Sequence, residues 1–125
     1  MPRVTDTELE VLKTLWRAGE STARQIAEVL YPECTASDIG TVQSMLQRLE
    51  RKKLIRRSRR THPHRFSAKV NVEQVAGYEL EAIADKVSEG SMAPFLLHML
   101  SAKKLTRQEA IEIRKLLQDY APSDE

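Results

Sequence analysis

Apolar residues recur along this chain at three- and four-residue steps, broken by short polar punctuation, a spacing that predicts a protein built mainly of helices. Leu9, Leu12, Leu15 and Trp16 form the first stripe. It is entered through Thr5-x-x-Glu8, a spacing at which the two side chains cap a first helical turn reciprocally. Gly19 follows where a helix end favours a residue free to take positive φ. The second stripe, Ala23, Ile26, Ala27 and Leu30, starts at Thr22-x-x-Gln25 and is stopped by Tyr31-Pro32. A third helix is expected from Ser37 or Asp38 to about Lys52, burying Val42, Met45, Leu46 and Leu49.

The period then changes. Leu54–Arg57 and Arg65–Ser67 read as two short strands around a tip at Arg59–His64, with Pro63 in the turn because proline cannot sit mid-ladder. Beyond Ala68 helical spacing returns. Val72, Val75, Ala76, Leu80, Ile83 and Val87 follow Asn71-x-x-Gln74, a short apolar segment spans Pro94–Leu100, and Ala110, Ile113, Leu117 and Tyr120 follow Thr106-x-x-Glu109. Three short helices and a hairpin are the element order of a winged helix-turn-helix. The expected fold is therefore mostly α: a winged helix-turn-helix with a small β-wing over residues 1–70, then a helical dimerisation region over 71–125. About 55 residues in three helices bury little core alone, so pairing with a second copy is the expected use of their stripes.

Charge sharpens this picture. Between Arg48 and Arg65 stand nine Lys/Arg (48, 51, 52, 53, 56, 57, 59, 60, 65) and one acid, Glu50, a net +8 in a chain of net +2. Such segregation is the electrostatic footprint of a polyanion partner. On a helical wheel the outer face of the third helix carries Gly40, Ser44, Gln47 and Arg51, flanked by Gln43 and Arg48. Gln, Ser and Arg are side chains that read base edges in the major groove. Ser44, Gln47 and Arg51 are thus expected to face the bases of a double-stranded DNA operator, with Gln43 and Arg48 at the margins. Thr41 is expected on a phosphate, and Arg59, Arg60 and Arg65 on the backbone. A winged helix can instead be a protein-interaction module, which would show exposed apolar residues on that face.

Other chemistry is excluded. Catalysis by Cys34 would need an activated, oriented thiol in a pocket, and neither a phosphate-cradling glycine loop nor an HExxH motif is present. His62-x-His64 has no second ligand pair at zinc spacing, so no metal and no cofactor is expected. A single cysteine cannot build a disulfide framework. No apolar run approaches the roughly 18–20 residues of a membrane span. The first residues also lack the apolar stretch of a signal peptide, so a cytoplasmic location without membrane insertion is expected.

Three stretches carry a resemblance: Thr7–Trp16 (TELEVLKTLW), Thr41–Ile55 (TVQSMLQRLERKKLI) and Leu105–Leu117 (LTRQEAIEIRKLL). Together they resemble the BlaI/MecI penicillinase repressors, with the CopY copper-responsive branch nearby. The resemblance implies a homodimer on a palindromic operator, repressing resistance or stress genes. It also implies release through a membrane sensor-protease pathway that cuts the dimerisation region. The family's Asn-Phe cleavage pair aligns with His98-Met99 here, and the copper branch's paired-cysteine metal hook is absent. Lys53 stands where the family has glycine after its third helix. Either that lysine is forced to positive φ, at a cost on the order of 1 kcal/mol, or the helix ends differently.

Overall fold

Four threonines start four helices by one device. In α1 (Asp6–Ala18), α2 (Ala23–Leu30), α3 (Ala36–Arg51) and α6 (Arg107–Asp119), the threonine before the helix accepts from the backbone N–H three residues on, and the side chain there accepts from the threonine's own N–H. Asn71 and Gln74 exchange the same pair of bonds, at 2.8 and 2.9 Å, before α4 (Val72–Val87). α5 (Ala93–Ser101) instead carries Pro94 in its first turn, where a missing N–H forfeits no helical hydrogen bond. The α3 box is Thr35-x-x-Asp38, so this helix begins slightly before its expected start at Ser37 or Asp38. Aspartate at the third position serves as glutamate does elsewhere.

The structure, a computed structural model, describes residues 1–120. The chain forms two compact units, Met1–Glu79 and Leu80–Glu125. In the first, Val11, Leu12 and Leu15 of α1, Ile26 and Ala27 of α2, and Val42, Met45, Leu46 and Leu49 of α3 share one core. Leu54, Ile55, Phe66 and Val75 join it, with Trp16 packed at its edge. Trp16 Nε1 donates to the Val70 carbonyl at 2.8 Å, so its ring has both an apolar contact and a polar partner.

A three-stranded antiparallel sheet closes this unit, in the order β1 (Ser21–Thr22), β3 (Arg65–Ala68), β2 (Ile55–Ser58). The hairpin registers Ile55 on Ala68 and Arg57 on Phe66, and β1 sets Ser21 on Phe66. β1 was not expected from the sequence, because two residues show no period. Leu54 is buried but precedes the strand, for a reason that lies in the end of α3 described below.

In the second unit, no residue of α5 or α6 is buried. Leu97, Leu100, Leu116 and Leu117 are each more than 60% exposed. No helix among the described residues is long and apolar enough to cross a membrane.

Candidate nucleic-acid interface

α3 has two chemically distinct sides. Val42, Met45, Leu46 and Leu49 are sunk in the core, while Thr41, Gln43, Ser44, Gln47, Arg48 and Arg51 are all exposed. No large apolar side chain of this helix is exposed. The outer face therefore offers amides, hydroxyls and guanidiniums on a rigid scaffold. Thr41 turns inward on its own helix, its hydroxyl donating to the Ser37 carbonyl at 3.0 Å.

The end of α3 explains two irregularities at once. Lys53 lies at φ 62°, the left-handed region that favours glycine. Its N–H donates to the Glu50 carbonyl, and that of Leu54 donates to the Leu49 carbonyl, each at 3.0 Å. This is the Schellman closure, in which the residue after the left-handed one packs against the last turn. Leu49 and Leu54 are both buried and supply that contact. The sequence's departure from glycine is thus real, and the helix ends there in the ordinary way despite it.

Behind the exposed face lies a carboxylate that sequence reading takes only for a helix cap. Glu8 is fully buried. Its Oε1 accepts from the Thr5 N–H at 3.0 Å and from Lys52 Nζ at 2.6 Å, and Lys52 also reaches the Arg3 carbonyl. Oε2 has no hydrogen-bond partner, and Arg48 Nε stands 3.9 Å away. Burial pushes this carboxyl up, but the Lys52 ammonium and the Thr5 groups outweigh it and hold Glu8 below its ordinary value. Two of the nine basic residues are therefore tied to α1.

The wing divides its charges in the same way. Arg60 is exposed at the tip, and Arg65 is half-buried in β3. Arg59 is exposed but lies 3.7 Å from Glu50, which also pairs with Arg57 at 3.2 Å. Arg57 stacks over Phe66 at 4.8 Å and donates to His64 Nδ1 at 3.3 Å. A guanidinium can only donate, so His64 must be neutral with its proton on Nε2. Burial, then the Arg57 and His62 charges, hold the His64 imidazole below its ordinary value. His62 and His64 stack at 5.3 Å, and the His62-Pro63 peptide is cis.

Between α3 and the wing opens a groove of about 600 Å³, lined by Arg24, Gln43, Gln47, Arg57, His62 and His64 over Ala23, Ile39, Pro63 and Phe66. It brings Gln43 and Gln47 of the helix and the wing histidines to one concave surface. Thr41, Ser44, Arg48, Arg51, Arg59, Arg60 and Arg65 do not line it. His98 and Met99 belong to α5 of the second unit, His98 exposed and Met99 half-buried. Among the described residues, no three His, Cys, Asp or Glu side chains cluster as metal ligands would.

A buried helix presenting a polar outer face, followed by a basic hairpin, defines a winged helix-turn-helix protein. The chain belongs to the penicillinase repressor family, whose sequence profile matches residues 4–119; this is a non-enzymatic family of DNA-binding transcriptional repressors. It is 21% identical over 120 residues to a penicillinase repressor of Bacillus licheniformis, covering 96% of this chain and 93% of that one. To the transcriptional regulator BlaI of Mycobacterium tuberculosis it is 31% identical over 121 residues, covering 94% and 84%. Among solved structures it is similar to a mutant MarR from E. coli complexed with operator DNA, at 20% identity and a TM-score of 0.49, covering 95% and 76%.

Proposed function

We propose that this chain is a cytoplasmic, homodimeric repressor of resistance or stress genes that reads a palindromic operator. Residues 1–70 grip the duplex and residues 71–125 pair the two copies. The observation that carries this reading is the outer face of α3, where Gln43, Ser44, Gln47, Arg48 and Arg51 are exposed and no large apolar side chain is. An interaction module would present apolar anchors there. Ser44, Gln47 and Arg51 meet base edges, Gln43 and Arg48 work at the margin, and Thr41, Arg59, Arg60 and Arg65 serve the backbone.

Selection on random duplexes tests it, with an enriched motif of two half-sites as the expected result. Gln47→Ala then erodes discrimination by roughly 1–3 kcal/mol if its contact is bidentate. Arg60→Ala weakens binding to all duplexes alike and flattens the salt dependence. Failure to enrich any motif would overturn the operator reading in favour of a protein-interaction module.

Release is proposed to follow cleavage of α5 near His98-Met99 through a membrane sensor-protease pathway, because severing that region ends the linkage between two DNA-binding heads. A protease needs extended backbone, so α5 must first open locally. Fragments mapped by mass spectrometry after induction decide this. A cut within α5 accompanying operator release supports it, and release of an intact chain points to a directly bound effector instead.

A further inference from the structure

Glu50 is the one acid in the basic stretch from Arg48 to Arg65, and the DNA-facing set described above does not use it. A carboxylate is ill placed there on two counts. It stands in the last turn of α3, where the helix dipole disfavours negative charge. It also subtracts from a surface whose affinity for a polyanion rests on positive charge.

Its neighbours show what it does instead. Glu50 Oε1 pairs with Arg57 Nη2 at 3.2 Å, and Oε2 with Arg59 Nη2 at 3.7 Å. Arg57 is only 20% exposed at its side chain, too enclosed to serve as a free backbone contact. It lies directly across the hairpin from Phe66, over whose ring its guanidinium stacks, and its Nη1 donates to His64 Nδ1. Arg57 Nε is buried with no hydrogen-bond partner, and the guanidinium's ion pair, hydrogen bond and stacking contact go to Glu50, His64 and Phe66 respectively. A continuous chain of contacts thus runs from the end of α3, through Glu50 and Arg57, to the wing residue His64.

We propose that Glu50 is a positioning residue that locks the wing against α3 through Arg57, fixing the distance between base-reading side chains and wing contacts to the backbone. This rests on the operator-binding reading. Sequence discrimination requires both contact sets to engage one duplex in a single register, whereas non-specific attraction requires only charge. Glu50 therefore trades affinity for discrimination.

Substitution separates the two effects by sign. Glu50→Gln removes a negative charge, so non-specific binding tightens, while the ratio of operator to random-duplex affinity falls about tenfold, as expected for coupled neighbours. Arg57→Lys keeps the charge but cannot make the forked contact, so it loses the same ratio without the gain in non-specific binding. The swap of Glu50→Arg with Arg57→Glu restores much of the ratio. His64 ring resonances shift in both single variants, reporting the contact chain without DNA. An unchanged ratio in both single variants, or tightening on operator and random duplex alike in Glu50→Gln, would overturn the proposal. Should the wild-type chain discriminate no duplex, the operator reading fails separately, and unmoved His64 resonances in both single variants would then refute the contact chain itself.

Discussion

Two side chains carry costs that can be measured singly. Lys53 holds a left-handed conformation that costs an L-residue about 1–2 kcal/mol, because its Cβ crowds the neighbouring carbonyl. Lys53→Gly is expected to stabilise the chain by about 1 kcal/mol in urea titration, and Lys53→Ala to change it little because the Cβ remains. Glu8 is the converse case, a buried charge sustained by its partners. Glu8→Gln keeps the cap, as Gln25 does in α2, but leaves the Lys52 ammonium unpaired. We expect a loss of about 2 kcal/mol, below the 3–5 kcal/mol of a fully buried pair since Lys52 can swing to solvent. The pH dependence has a definite sign. The folded carboxyl titrates below the ordinary glutamate value of the unfolded chain, so the folded state binds fewer protons than the unfolded one. The stabilisation is complete above that value and disappears as pH falls through the folded pKa. Urea midpoints of the wild type and Glu8→Gln should therefore converge in acid, and a constant gap would show that Glu8 acts through packing alone.

At the scale of elements, the caps set where α3 begins and hence which side chains face outward. Thr35→Ala removes the acceptor for the Asp38 N–H, a loss typically worth about 1 kcal/mol. It should fray the first turn of α3, seen as faster amide exchange at Asp38 and Ile39 with Leu46 and Leu49 still protected; uniform protection would deny the cap that role. The four reciprocal boxes at Thr5, Thr22, Asn71 and Thr106 were legible in the sequence because their spacing is local. Thr35-x-x-Asp38 was equally local but ends in aspartate rather than glutamate or glutamine, so the helix was expected to start later. The polar face of α3 was legible too, since at about 100° per residue Ser44, Gln47 and Arg51 fall roughly half a turn away from Val42, Met45 and Leu49. What sequence could not show is anything that depends on elements meeting. β1 exists only because Ser21 and Thr22 pair with Phe66 and Arg65. Glu8 is buried only because Lys52 and Arg48 at the end of α3 come to α1. Counting charges along the chain gave +8, but it could not distinguish exposed Arg60 from Arg57, which is held by Glu50, or Lys52, which is held by Glu8.

The whole molecule has an imbalance that its own chain does not resolve. The first unit buries a contiguous core, while the second leaves Ile83, Val87, Leu96, Leu97, Leu100, Leu116 and Leu117 exposed. Scattered apolar side chains are ordinary on a protein surface, but this density on three successive helices is what the proposed pairing region would present. A second copy of the chain is the economical cover, because an isologous interface presents the same patch from both sides. The full chain should then scatter light as a particle of twice 14.3 kDa at micromolar concentration. Leu97→Glu combined with Leu117→Glu should give monomers whose first unit still unfolds cooperatively. A fragment ending at Glu79, which retains the buried Val75, should behave the same way. Coupling two heads typically raises overall affinity by about 10²–10⁴-fold, so these monomers should lose roughly that much on a two-half-site operator while binding a single half-site as well as one head of the dimer does. The half-site control matters, because a substitution that merely damaged the fold would weaken both duplexes together. Monomeric wild-type protein at micromolar concentration, or equal losses on both duplexes, would mean that the exposed leucines serve some other partner.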